Sequence, residues 1–321
     1  MANYIFRRIL SMIPTLLIVA VIVFLITRMI PGNPAAVMLG PQAGVDEVEK
    51  LTEQLGLNDP LYKQFIDYIG GLLQGDFGNS LSYHQPIVNL ILERFPNTLI
   101  LAVSALMIAF MVGVPAGILA ASKQNSIVDY SITGLSLIGV SMPIFWLGVM
   151  LVLFFSVDLG WFPATGMGPI NEGFGSFISH LILPSITLAT IPTATFARIT
   201  RSSMLEVISQ DYIKTARSKG LREFIVIGKH AFKNALTPLL TVVGLQISLL
   251  LGGAVLTETI FSWPGMGLLI IEAIEKRDFV VVQNTVLFIA LIFVVVNLII
   301  DILYKVVNPK VDYSSGKGGT Q

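Results

Sequence analysis

The chain has 321 residues, of which 54% are hydrophobic and only 12% charged, about half the charge content of a soluble globular domain. Twenty Lys and Arg balance twenty Asp and Glu, so no global field exists to recruit nucleic acid or an acidic partner. Cysteine is absent, which excludes disulfides, thiolate metal sites and cysteine nucleophiles.

A hydrocarbon core about 30 Å thick requires roughly 20 apolar residues in a helix, because an open backbone finds no hydrogen-bond partner in lipid. Six stretches fit this description: 9–30, 98–121, 132–157, 181–197, 239–257 and 283–304. The first follows Arg7 and Arg8 as a signal peptide would, yet its apolar run is too long for an h-region and no small-residue cleavage site follows it. The fourth holds Pro184 and Pro192, which predicts a kinked helix inside a bundle. The expected division is an N-terminal segment and first span over 1–30, an external region over 31–97, a five-span core over 98–305 and a tail over 306–321.

The region 31–97 is too long for a simple connection and is expected to fold locally. Asp46 with Glu49 resembles a capping box, Val48, Leu51 and Leu55 follow at helical spacing, and Gly56 supplies a stop. Pro60 then opens a second helix with Leu61, Phe65, Ile69 and Leu72 on one side, broken by Gly70, Gly71, Gly75 and Gly78. "NLILERFPN" reads as a third segment leading into the second span.

In that second span Gly113 and Gly117 form a small-xxx-small pair suited to close packing within the bundle. In the fifth, Thr241, Ser248 and Gly252 share one face and Gln246, Gly253 and Thr257 another. Either face suits a polar translocation path, to which Thr241, Gln246 and Ser248 are the candidates; the same residues equally suit hydrogen bonds to neighbouring helices.

The chemistry of an autonomous enzyme or carrier is missing. No G-x-x-x-x-G-K-[ST] string is present, so no P-loop binds nucleotide, and no cofactor or metal is expected. His84, His180 and His230 fall in separate loops, without an H-E-x-x-H. Arg28, Arg198 and Asp301 lie near span ends, whereas a secondary transporter, the alternative from another class, wants charge or broken helices at midplane. With the N-terminus inside, fourteen Lys and Arg fall on the cytoplasmic side and six on the other, which predicts an inner-membrane protein with both termini cytoplasmic.

Eight of those cations lie between Arg198 and Lys233. In this loop, 201–238, Asp211 is expected to cap a helix from Tyr212, Gly220 to end it in the left-handed region, and Arg217 and Lys219 to complement its dipole. Tyr212 and Ala216 share one side, with Thr215 and Lys219 in the next row. Phe224, Ile227, Ala231 and Ala235 then form an apolar stripe. Taken alone, these residues also fit a basic amphipathic loop resting on anionic lipid.

The run "TARSKGL" followed by "HAFKNALTP" resembles the peptide-transporter version of the EAA loop of binding-protein-dependent ABC importers. Ala216 and Gly220 match the loop's Ala and Gly, while Lys214 and Thr215 stand where the general consensus has Glu and Ala. "MIPGNP", "LGLNDPLYKQFIDYIGGLLQGDFGNSL", "GVSMPIFWLGVML", "TETIFSWPGMGLLIIEAIEKRDFVVVQ" and "NPKV" extend the resemblance over essentially the whole chain, to the dipeptide/oligopeptide/nickel permease family. The resemblance implies an all-α membrane protein of the type I importer fold with six spans and an external helical loop. It further implies a non-catalytic permease paired with a second, homologous permease, two ATPase subunits that carry ATP and magnesium, and an external solute-binding protein. Asp211, Tyr212, Thr215, Ala216, Arg217, Lys219 and Gly220 would form the coupling helix that docks on an ATPase. Peptide is the expected cargo, with nickel, glutathione and oligosaccharide as the family's other substrates.

Overall fold

The computed structural model describes residues 2–29, 34–39, 43–54, 56–168 and 173–307. Residues 30–33, Leu55 and the tail from 308, including "NPKV", lie outside these residues. Every named element is helical: α1 (Ala2–Met29), α2 (Pro34–Leu39), α3 (Val45–Gln54), α4 (Leu61–Leu73), α5 (Ile87–Ser122), α6 (Ile127–Ser141), α7 (Ile144–Leu151), α8 (Phe174–Ile208), α9 (Asp211–Ser218), α10 (Glu223–Ile225), α11 (Phe232–Ile260), α12 (Met266–Glu275) and α13 (Phe279–Val307). Two junctions are π-helical, Val152–Asp158 after α7 and Val226–Ala231 between α10 and α11.

Among the described residues five helices are long and apolar enough to cross a bilayer, or six where the bent pair of α6 with the α7 segment is counted as one broken span. The break is a departure from the expected straight helix over 132–157. Pro143 has no amide to donate and forces Met142 into an extended conformation (φ −77°, ψ 129°), so the chain turns by 102°. The two prolines of α8 act otherwise: helix continues through Pro184 and Pro192 for 35 residues, with Thr187 Oγ1 donating to Leu183 O at 2.8 Å nearby. The segment "NLILERFPN" is likewise no separate helix, being part of the first turns of the 36-residue α5.

The seam between α5 and α8 is closely packed. A Cβ on Gly113 would come 2.5 Å from Thr193 O, and one on Gly117 2.5 Å from Ala197 O and 2.6 Å from Thr200 Cβ. Only glycine permits this backbone approach. Leu101, Ala105, Ala109, Leu188, Phe196, Leu239, Leu250 and Trp263 fill the core that α5, α8 and α11 share. α1 packs on α13, with Arg8 ion-paired to Asp301 at one end and Thr27 Oγ1 donating to Gln283 Oε1 at 3.2 Å toward the other.

The region after α1 is anchored rather than loose. α4 lays Phe65 and Tyr68 against Phe24 of α1, and burial pushes the Tyr68 hydroxyl up to about 12. Gly56 ends α3 at φ +64° as expected, whereas Pro60 occupies the N-cap of α4 instead of its first helical position, and α4 runs through Gly70 and Gly71 before stopping.

Replacing Gly117 with Leu should force α5 and α8 apart and cost roughly 1–3 kcal/mol, seen as a lower thermal midpoint of the purified protein. Gly134→Leu, where a Cβ meets nothing within 4 Å, should leave the midpoint unchanged.

Candidate functional site

Helix α8 runs past the bundle and delivers the chain into α9. Gln210, extended at ψ 148°, is the N-cap, so Asp211 is the first helical residue instead of the cap expected for it. Its carboxylate accepts from Lys214 Nζ at 2.9 Å within the first turn, where negative charge complements the helix dipole. Gly220 follows at φ +76°, the left-handed stop that the sequence predicts. Arg217 then folds back on Glu223, with Nε at 3.1 Å and Nη2 at 2.6 Å from its two carboxylate oxygens. This fork, a hydrogen-bonded charge pair, lowers the Glu223 carboxyl below its usual range and raises Arg217.

Ile213 and Ala216 point inward. They join Ala121, Met204, Val226, Ala231 and Ala235 in a cluster belonging to this chain itself. The sequence reading placed Ala216 on an outward contact face with Tyr212. The three- and four-residue rows of so short a helix do not reveal which side its own bundle takes, and it takes Ile213's. Outward lie Tyr212, Thr215, Arg217, Lys219 and Gly220, together with Leu221 and Phe224, the last 87% exposed. Asn234 Nδ2 donates to the Tyr212 hydroxyl at 2.7 Å, tying α9 to the base of α11.

A further brace escaped sequence reasoning. Asp129, in the first turn of α6 and 1% exposed, accepts from Arg201 Nε at 2.5 Å and Nη2 at 2.8 Å and from the Asn125 amide at 3.0 Å. The pair joins α6 to α8 two to three turns before α9. Its partners lie 72 residues apart, and no local spacing announces it.

At the opposite end two buried carboxylates organise the turns. Glu258 Oε1 accepts from Thr98 Oγ1 at 2.7 Å and Oε2 from the Gly267 amide at 2.7 Å, so it satisfies the open N-terminus of α12. A Cβ on Gly265 would overlap this carboxylate. Asp278 caps α13 through the Val281 amide at 3.3 Å and accepts from Ser80 Oγ at 2.6 Å and the Ser82 amide at 2.9 Å. Tyr83 donates to Glu272 at 2.6 Å beneath the Lys276 ammonium, 3.9 Å from its ring centroid; burial, then that carboxylate, raises the Tyr83 hydroxyl. These side chains hold the 77–86 segment onto α12 and α13.

The three residues expected along a path in α11 do not share an environment. Thr241 is exposed, whereas Gln246 and Ser248 are buried within this chain, Ser248 Oγ without a hydrogen-bond partner among the described residues. Gly252 and Gly253 are exposed beside Leu249 and Leu256. Among the described residues no group of three His, Cys, Asp or Glu is placed to hold a metal ion.

Residues 113–313 match the model of the binding-protein-dependent transport system inner membrane component, and residues 1–102 its N-terminal companion. The chain belongs to this family. It is 47% identical to a dipeptide transport system permease protein of Alkalihalophilus pseudofirmus over 98% of its length and all of the relative's. A di/tripeptide permease protein of Pseudomonas aeruginosa is 45% identical over 97% of this chain and 99% of its own, and a glutathione transport system permease protein of Escherichia coli 42% over 98% and 100%. Among solved structures, a chain of the MetNI methionine ABC transporter superposes with a TM-score of 0.57 at 17% identity, covering 68% of this chain and 96% of its own. That likeness supports the shared type I permease fold. The protein is thus an integral inner-membrane permease of an ABC importer.

Because Glu223 sits below its unfolded value, the Arg217–Glu223 fork contributes fully above the unfolded carboxyl range and is lost as pH falls through the lowered folded value. Hydrogen exchange of amides in 211–223 should accelerate over that acid window, and Glu223→Gln should show the faster exchange already at neutral pH.

Proposed function

We propose that this chain is the permease half of a peptide importer in which α9 is the coupling helix. The observation that carries the reading is a short helix braced on its inner side by Ile213 and Ala216 and closed by Gly220, with a cluster of side chains, Tyr212, Thr215, Lys219, Leu221 and Phe224, left uncovered. Exposed aromatic groups beside cations suit a groove on a partner ATPase, since such anchors dominate interface energetics. Relatives named for dipeptides, di/tripeptides and oligopeptides support peptide as cargo; the glutathione permeases at 42% identity keep that tripeptide-like thiol as the second reading.

In this scheme α9 and both termini face the cytoplasm, and two ATPases, holding ATP and magnesium, supply the energy. A second, homologous permease completes the path, and a solute-binding protein docks on the external region 31–97. The chain performs no catalysis and carries no cofactor. ATP-driven closure displaces α9; α8 carries the movement inward, and Asp129–Arg201 passes it to α6. ATP and loaded binding protein must favour one bundle arrangement differentially for transport to follow. On α11, the exposed Thr241, Gly252 and Gly253 face the path, while Gln246 and Ser248 are buried within this chain.

Lys219→Glu combined with Phe224→Asp should leave the thermal midpoint unchanged, because both side chains are exposed, and should reduce ATPase co-purification and peptide uptake by about tenfold or more. Unchanged association would return the loop to a lipid-surface role. Ala216→Glu is the poorer test, since it disrupts the permease's own packing. In a chain without cysteine, Lys219→Cys should resist an impermeant thiol reagent in intact cells and react in inverted vesicles.

A further inference from the structure

At the α9 end of the bundle, between α6 and α8, lies a cavity of about 260 Å³ lined by Thr133, Ser136, Leu137, Arg198, Arg201 and Ser202, among others. Two cations line it, both from α8. Arg201 has Nε and Nη2 engaged by Asp129, which neutralises one charge. Arg198 is exposed and forms no ion pair among the described residues. The cavity thus presents one uncompensated positive charge beside three hydroxyl groups, and no free carboxylate lines it.

A second hollow, of about 550 Å³, lies where α6 breaks, lined by Leu137, Ile138, Ser141, Pro143, Phe145 and Trp146. Leu137 borders both. From Thr133 to Met142 the helix rises roughly 14 Å, so the polar cavity sits toward the membrane surface and the apolar hollow deeper in the hydrocarbon. A cationic, hydroxyl-lined chamber at headgroup level, leading to an aromatic-walled apolar one, matches a diacyl phosphodiester end to end.

We propose that this flank of α6 holds one phospholipid with a singly anionic headgroup, its phosphodiester on Arg198 and Arg201 and an acyl chain in the hollow at Pro143. The net charge of the lining selects the headgroup: one cation in excess pairs with one phosphodiester, and with Asp129 already taken by Arg201 nothing remains to receive a choline or ethanolamine cation. The apolar hollow distinguishes a lipid from free phosphate, which has nothing to place there. Either membrane face offers headgroups, so the site does not depend on the orientation proposed above; with α9 inside, it opens to the anionic leaflet. The lipid would lie against the one span that is broken, and would fill a gap that helix packing leaves at the bend.

The test is native mass spectrometry of the full chain released from phosphatidylcholine vesicles containing a minor fraction of phosphatidylglycerol. One phosphatidylglycerol should be retained in preference to phosphatidylcholine, and Arg198→Gln should cut that preference about fivefold, the effect of one surface cation. Leu137→Trp, at an exposed position that both hollows share, should reduce retention of either lipid, and millimolar inorganic phosphate should displace none. A photoreactive residue at 137 should give a phospholipid adduct. Equal retention of the two lipids by the unmodified chain, an unchanged preference in Arg198→Gln, displacement by inorganic phosphate, or an adduct with the second permease in place of lipid would each overturn the proposal.

Discussion

The close approach of α5 and α8 is the constraint on which the rest of the molecule depends. In lipid the hydrophobic effect does not drive helices together, so association relies on packing and on backbone proximity. Gly113 and Gly117 create that proximity by omitting side chains where Thr193, Ala197 and Thr200 stand opposite. With the seam closed, α11 seats Leu239, Leu250 and Ala254 against both helices, and Trp263 seals its end, its indole donating to Asn97 O at 3.0 Å. α8 then has one permitted line, and that line leads into α9.

Polar groups do at the ends what glycine does in the middle. A carboxylate buried without partners would cost several kcal/mol, yet Glu258 and Asp278 are fully buried because each receives hydrogen bonds from backbone amides and a hydroxyl. Each joins a helix N-terminus to a segment distant in sequence, Glu258 to α5 and Asp278 to the 80–82 turn. Removing either would orphan amides at a helix start as well as a hydroxyl. The end of the bundle opposite α9 is consequently a set of interlocked caps, and the segment 77–86 is held to α12 and α13 by them.

Spans and turns were legible in the sequence because they follow from local chemistry. Apolar length located α1, α5, α8, α11 and α13, and Gly56 and Gly220 announced left-handed stops that the backbone adopts. What stayed hidden was relational. Pro143 sat inside an unbroken apolar run, where hydropathy registers length and ignores the missing amide. Pro184 and Pro192 carry the same residue type and leave α8 continuous, so proline alone does not decide between a broken and a continuous helix. Ala216 and Tyr212 lie four apart, a spacing that puts them on one side, yet burial is decided by Met204 and Val226 from flanking elements. Asp129 and Arg201 have no common motif, and Glu258 stood within a family-like string, "TETIFSWPGMG", whose purpose only its contacts disclose.

The placement of α9 also determines how force can travel. A helix held only by flexible linkers could shift without moving anything else. Here Ile213 and Ala216 are embedded with Met204 of α8 and Ala235 of α11, and Asn234 holds the Tyr212 hydroxyl. Densely packed interiors transmit displacement because they have little free volume to absorb it. In the proposed scheme a push on Tyr212 or Lys219 reaches two long helices at once, α8 through the cluster and α11 through Asn234. The Asp129–Arg201 fork adds α6, with bidentate geometry that resists sliding. α6 in turn ends at the Met142–Pro143 break, beyond which α7 packs against α8 and α11. In the proposed scheme the connected path from α9 through Asp129–Arg201 therefore runs as far as this break, where α6 gives way to α7.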